Sequence, residues 1–254
     1  MKTCVLASGS KGNSTLIRTK KLNILIDAGM TCKYLEEKLK DNNLKIEDID
    51  YVFLTHTHID HTNALPSLIK RHKPIIALTD KMHMSLKYLD KYDNIFLFEN
   101  DFNINDLKVE IINTSHDSSD SKGYIFTEDS SSIVIITDTG YINSKLWDKL
   151  SNKSLYILEC NHDIEMLMHG KYPKWLKRRV GSDIGHLSNQ SSAYYLSKLI
   201  GPNTKHVFLA HISQENNTPE LALECVKECL LDSNIEFNNI MVTSQNEQTE
   251  MVEV

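Results

Sequence analysis

Long apolar runs, paired cysteines and an excess of positive charge are all missing from this 254-residue chain, and each absence removes a class of protein. The longest apolar stretches, such as Ile133 to Ile136 and Val207 to Ala210, have the length of a strand. A bilayer-crossing helix needs about 20 such residues, so a membrane span is excluded. Met1-Lys2-Thr3-Cys4-Val5-Leu6-Ala7 runs straight into Ser-Gly-Ser-Lys-Gly-Asn, without the apolar region of a secretory signal, and a cytoplasmic location is expected. The five cysteines are odd in number, scattered and free of any CxxC pair, which fits reduced thiols rather than a disulfide framework. The net charge of −6 argues against non-specific coating of nucleic acid, because such binding needs many Lys and Arg contacts to phosphate, but it leaves room for a locally basic site.

Neither a repeat nor a linker divides the sequence. With 41% hydrophobic residues, 1–254 is expected to bury its core as one domain. Strand-like segments open the chain at Thr3 to Ala7, Ser14 to Thr19 and Leu22 to Asp27 and read as a β-meander. Further strands are expected at Tyr51 to Thr55, Ile75 to Leu78, Ile95 to Phe98, Lys108 to Asn113, Gly123 to Thr127, Ser132 to Thr137, Leu155 to Glu159 and His206 to Ala210. Helices are expected at Thr31 to Lys40, after His61, at Lys81 to Leu89, Asn143 to Leu150, Ser188 to Leu199 and Thr218 to Leu231. In the last, Thr218 caps, Pro219 opens the helix, and Cys225 and Cys229 share a face with Leu221, Ala222 and Val226, which reads as core. Two β-rich blocks with interspersed helices predict an α+β fold, two mixed sheets packed face to face with helices outside, an αββα sandwich.

The strongest chemical signal is His56-Thr57-His58-Ile59-Asp60-His61, directly after the apolar segment Tyr51 to Thr55. Side chains alternate along an extended chain, so His56 and His58 converge while the following turn presents Asp60 and His61. Three imidazoles and a carboxylate this close seldom serve packing alone. His116, Asp138 and His211 each follow a predicted strand, where loops gather functional groups in layered folds. Each alone has a plainer reading as a polar loop residue; together with the first cluster they supply what two adjacent metals need. Imidazole and carboxylate donors suit Zn²⁺ or Mn²⁺ equally.

In this order, Asp27, His56-x-His58-x-Asp60-His61, His116, Asp138 and His211 resemble the serial motifs of the metallo-β-lactamase superfamily across almost the whole chain. The resemblance implies that His56, His58 and His116 bind one divalent ion, that Asp60, His61 and His211 bind a second, and that Asp138 bridges both. It makes Asp27 an outer carboxylate orienting a ligand, where the plainer reading is a turn residue. Two ions about 3.5 to 4 Å apart make hydroxide available at neutral pH, so metal-assisted hydrolysis is the expected reaction.

Glu159, ending a predicted strand, and His186, in Gly185-His186-Leu187-Ser188-Asn189, are similar to elements of the transfer-RNA 3′-processing nucleases of that superfamily. His186 is suited to protonate a leaving oxygen while Glu159 holds its tautomer, which with Asp60 completes the expected catalytic set; a buried structural pair is the alternative. Ser188 and Asn189, at a helix start, are expected phosphate contacts. Lys171 to Arg179, including Lys177, Arg178 and Arg179 beside Trp175, is the one dense basic stretch and fits either a nucleic-acid track or a solvated helix face. Ser8 to Ser14 offers amides to phosphate or simply turns a hairpin. His72, His83, His169 and His206 read as surface or packing residues, and His162 as lining the cleft.

The opening LASGSKGNS, ECNHD, GHLSN and HISQENN together resemble the WalJ/YycJ group of bacterial metallo-β-lactamase proteins. That implies a 5′-to-3′ exonuclease on DNA, with RNA as a second substrate. The chain has no room for the inserted β-CASP domain of ribonuclease J, and Ile59 stands where flavodiiron oxygen reductases carry an acidic residue, which argues against redox chemistry. The competing expectation is a small-molecule hydrolase, a thioesterase or lactonase of the glyoxalase-II kind, attacking an acyl carbon with the same metals.

Overall fold

Strands whose side chains are apolar on both faces must be covered on both faces, and that requirement sets the layering here. A computed structural model describes residues 1–254. The first half supplies β1 (Lys2–Ala7), β2 (Ser14–Arg18), β3 (Asn23–Ile26), β4 (Tyr51–Phe53), β5 (Ile75–Leu78) and β6 (Ile95–Leu97). The second half supplies β7 (Phe102–Ile104), β8 (Leu107–Asn113), β9 (Lys122–Glu128), β10 (Ser131–Ile136), β11 (Leu155–Glu159), β12 (His206–Ala210) and β13 (Ile240–Val242), and β14 (Val252–Glu253) returns to the first sheet. The two seven-stranded sheets run β14-β1-β2-β3-β4-β5-β6 and β13-β12-β11-β10-β9-β8-β7. Both are mixed: β3 to β6 and β10 to β13 pair in parallel, the remaining neighbours antiparallel.

Alternation along single strands divides three cores. In β10, Ile133 and Ile135 join the layer between the sheets while Val134 and Ile136 face the outer helices; in β3, Ile24 and Ile26 face inward and Leu25 outward. The helices are α1 (Cys32–Asp41), α2 (Ile59–Thr62), α3 (Leu65–Arg71), α4 (Asp80–Ser85), α5 (Trp147–Leu150), α6 (Ile164–His169), α7 (Lys174–Val180), α8 (Asn189–Leu199) and α9 (Pro219–Asp232). Leu35, Leu39, Leu65, Leu68 and Met82 cover the first sheet, and Ala193, Leu196, Ala222, Val226 and Leu230 cover the second. This is the αββα sandwich of the metallo-β-lactamase fold. No helix is long and apolar enough to cross a membrane.

Inside the sandwich, Phe53 stacks on Phe102 at 6.2 Å between centroids and meets Phe126 edge-on at 5.4 Å. A fully buried Phe contributes about 1.5–3 kcal/mol by area alone, so this cluster fixes the place of β4. The Tyr124 hydroxyl donates to the Leu54 carbonyl, tying the second sheet to the residue two before His56. Caps fall where the sequence offers hydroxyls: Thr31 accepts from the Tyr34 amide, Ser188 from Ser191 and Thr218 from Leu221. Cys225 and Cys229 pack against the outer core of the second sheet, and all five cysteines are free.

Several elements differ from the sequence reading. The expected Lys81 to Leu89 helix is a short helix followed by a 3-10 turn at Lys87–Leu89, and Asn143 to Leu150 likewise divides into a 3-10 turn, Ser144–Leu146, and α5. The segments β7, β13, β14, α6 and α7 are additional.

Candidate metal centre and adjoining cleft

Parallel strands in register end together, and their ends carry the site. Ile136, Leu158 and Leu209 are aligned across β10, β11 and β12, so Asp138, Glu159 and His211 emerge side by side just beyond them. Ile26 pairs with Phe53 across β3 and β4, which sets Asp27 beside the Leu54-Thr55-His56 segment. Clefts at the carboxyl ends of parallel strands are where layered α/β sheets place their ligands. Asp27, Asp138 and His211 all have left-handed backbones, with φ of 63°, 55° and 57°. Such conformations are uncommon for residues with a Cβ and concentrate at functional sites.

Two groups of donors result. One oxygen or nitrogen from each of His56, His58 and His116 lies within 4.8 Å of the others, and the same holds for Asp60, His61, Asp138 and His211. Asp138 joins the groups: its Oδ2 lies 3.3 Å from His61 Nε2, and its Oδ1 lies 3.5 Å from His211 Nε2 and 3.9 Å from His116 Nε2. All seven residues expected as ligands therefore converge. His56 Nε2, His211 Nε2 and Asp138 Oδ2 are buried and have no hydrogen-bond partner. An unpaired buried polar atom is costly, and three aimed into one cluster fit the coordination of cations.

Of the five histidines in the two groups, His56, His61, His116 and His211 are held from behind. Asp27 Oδ2 lies 2.7 Å from His61 Nδ1, and the same carboxylate accepts from the Thr55 amide and hydroxyl at 2.8 Å. Nδ1 of His116 lies 3.1 Å from the Gly185 carbonyl. Asn13, expected only as part of a turn or amide loop, approaches His61 Nε2 at 3.0 Å and Asp60 Oδ2 at 3.2 Å. Gly29 permits this closeness, since a Cβ there would lie 1.6 Å from the Asp60 carbonyl oxygen.

Electrostatics separates the groups. Burial pushes the pKa of His56 and His116 down, which favours the neutral rings. Burial also opposes charge on His211, but the carboxylates of Asp138, Asp60 and Glu159 outweigh it and raise its pKa to about 10. His61 is raised well above the ordinary value against the same burial, by Asp27, Asp138 and Asp60. Surplus buried negative charge of this kind calls for a cation.

Glu159 is fully buried at the junction with a further pair. Its Oε2 accepts from the Thr139 and Leu187 amides at 2.9 and 3.2 Å, and its Oε1 lies 2.7 Å from His186 Nδ1 and 3.2 Å from His211 Nδ1. Burial opposes its ionisation, and the His186 imidazole reverses that and lowers its pKa. His186 reaches a cavity of about 710 Å³, which is also lined by His162, Ser188, Lys174, Lys177 and Arg178.

Two expected substrate contacts are placed differently, and a third is in place with its hydroxyl already engaged. Asn189 is buried, its side chain is bonded to Asn217 and Cys160, and its amide donates to the His162 carbonyl, so it has nothing left to offer a phosphate. Arg179 is paired with Asp117 and does not line the cavity. Ser188 lines the cavity but uses its hydroxyl as the cap of α8. Lys174 joins the lining instead, and its place within Lys171 to Arg179 was the available signal.

The sandwich, the seven convergent donors and a match of residues 7–211 to the metallo-beta-lactamase superfamily model show that the chain belongs to that superfamily, as a metal-dependent hydrolase. More narrowly, it is 37% identical to Exodeoxyribonuclease WalJ of Streptococcus pneumoniae over 228 residues, 87% of this chain and 85% of that protein. It is 34% identical to Exodeoxyribonuclease YycJ of Bacillus anthracis over 231 residues, 89% and 88% of the two chains. Among solved structures, the metallo-beta-lactamase fold protein YhfI from Bacillus subtilis superposes with a TM-score of 0.73 at 15% identity, covering 98% of this chain and 99% of that one. At that identity the likeness shows the fold alone.

Proposed function

We propose that the protein is a dinuclear metal-dependent exodeoxyribonuclease that degrades DNA from 5′ to 3′, with RNA as a second substrate. The observation that carries this reading is the His186–Glu159 pair, 2.7 Å apart, beside both donor groups and opening on a cavity lined by three cations. Its similarity to two exodeoxyribonucleases over most of each chain supports the same conclusion. We further take residues 1–254 as one domain, because the core between the sheets draws on both halves.

In this proposal, His56, His58 and His116 would hold one ion and Asp60, His61 and His211 the other, with Asp138 shared between them. When bound, two Zn²⁺ or Mn²⁺ ions supply a hydroxide nucleophile and offset charge on the attacked phosphate. The protein's own groups do the rest. Glu159 fixes a proton on His186 Nδ1, and the Nε2 proton of His186 passes to the oxygen leaving phosphorus. Lys174, Lys177 and Arg178 neutralise the phosphates flanking the cut, and the apolar side chains of Ile164, Leu167 and Met168 in the same cavity receive a base.

The test is hydrolysis of 5′-phosphorylated single- and double-stranded DNA and RNA in Mn²⁺ or Zn²⁺, beside a thioester. The expected result is mononucleotide release from the 5′ end of DNA. Thioester turnover without DNA cleavage would transfer the site to the small-molecule hydrolases.

A further inference from the structure

A second cluster of metal-ligating side chains lies on elements outside the catalytic centre. Cys32 and Glu36 stand one turn apart on α1, and His72 is the residue that ends α3. One donor atom from each lies within 4.8 Å of the other two. Cys32 Sγ is 3.4 Å from Glu36 Oε1, and the same oxygen is 3.4 Å from His72 Nε2. Tetrahedral zinc, with bonds of about 2.3 Å to sulfur and about 2.0–2.2 Å to nitrogen and oxygen, has ligand-to-ligand edges of about 3.3–3.6 Å. Both measured edges have that length.

The orientation of the histidine is the second observation. His72 Nδ1 lies 3.0 Å from Glu47 Oε1, on the 3-10 turn Ile46–Asp48, while Nε2 is buried and has no hydrogen-bond partner. A carboxylate behind Nδ1 fixes the proton there and turns the Nε2 lone pair toward the cluster, the usual arrangement behind a metal-bound imidazole. His61 shows the same arrangement, with Asp27 behind it. Arg71 Nη1 lies 3.6 Å from Glu36 Oε1 and its guanidinium also acts on the Cys32 thiol, both weak contacts from an exposed side chain.

We propose that Cys32, Glu36 and His72 form a zinc site, with water as the fourth ligand and Glu47 orienting the imidazole. A thiolate, an imidazole and a carboxylate are together a donor set suited to zinc. Cys32 is 6% exposed and the Glu36 side chain 36%, so the ligands are preformed yet reachable from solvent. Binding replaces the S–H bond with a zinc–sulfur bond and releases the proton to solvent without redox change. The ion ties α1 to the end of α3, with the 3-10 turn held behind the imidazole.

Cobalt(II) reconstitution of the full chain tests this independently of nuclease activity. None of the seven residues converging at the catalytic centre is a cysteine, so cobalt there gives no sulfur-to-cobalt charge-transfer band in the near ultraviolet. The wild type should show that band, Cys32→Ser and His72→Gln should lose it, and each variant should bind one zinc fewer per chain. His72→Gln changes a residue at a helix end and so carries the comparison if Cys32→Ser fails to fold. A wild type that binds cobalt without the band, a band that survives Cys32→Ser, or equal zinc content in wild type and variants would overturn the proposal.

Discussion

The His56–His58–His116 group and the Asp60–His61–His211 group meet at Asp138, yet the protein supports them by different means. In the first, burial favours the neutral form of His56 and His116, and the groups behind them are the Thr55 hydroxyl and the Gly185 carbonyl, both uncharged. In the second, carboxylates stand behind the rings, Asp27 at His61 and Glu159 at His211. Carboxylate support raises imidazole basicity and fixes the tautomer, so the second group should retain its ion more tightly. On the proposed mechanism, Glu159 is where catalysis would be coupled to metal binding, since it touches His211 and His186 with the same oxygen.

The comparison can be broken most severely at the shared residue. Asp138→Ala should lower occupancy of both groups and remove nuclease activity, read by metal analysis alongside DNA degradation; loss of one ion only would mean that Asp138 serves a single group. His186→Ala should lower turnover by about 10² to 10⁴ while leaving metal content unchanged. If its activity equalled that of the wild type, the proton-donor role would be removed. Asp27→Asn should weaken the second group by about 10- to 100-fold in metal affinity and spare the first, measured by stepwise chelator competition.

Two smaller effects sharpen the contrast between the centre and its cleft. Burial pushes the pKa of His162 down to about 4 from an ordinary 6.5. The unfolded chain therefore takes up this proton first as pH falls, and His162's own contribution to the stability of the metal-free protein should be full above about pH 6.5 and be lost as pH drops toward about 4. His162→Gln should flatten that part of the curve, and an unchanged pH dependence in denaturant titrations would contradict the assignment. Lys177→Ala should raise KM with little change in kcat and reduce the salt slope of DNA binding by about 1; a kcat effect without a KM effect would move Lys177 from binding to chemistry.

What the sequence revealed follows physical signal strength. Ile75–Leu78, Leu155–Glu159 and His206–Ala210 were legible to the residue because each is a short apolar run ended by a polar one. The metal donors were legible because His56 to His61 are adjacent and the others stand at strand ends. The edge strands β13 and β14, three and two residues long, are too short to stand out, and α6 and α7 carry charge over short spans, so neither pair announced itself. Asn13 was hidden within a Gly- and Ser-rich loop that reads as a turn, and only the approach of Gly29 to Asp60 brings it to His61. The Asn189 expectation failed because a polar residue at a helix start is as readily used to lock one loop to another. His72 read as a surface residue because Cys32, Glu36 and Glu47 become its neighbours only when α1 and α3 pack.

Anomalous scattering from crystals loaded with Mn²⁺ or Zn²⁺ tests the shared centre most directly. Two peaks are predicted on either side of Asp138, one enclosed by His56, His58 and His116 and the other by Asp60, His61 and His211. A single peak there, or none in fully loaded protein, would contradict the dinuclear account.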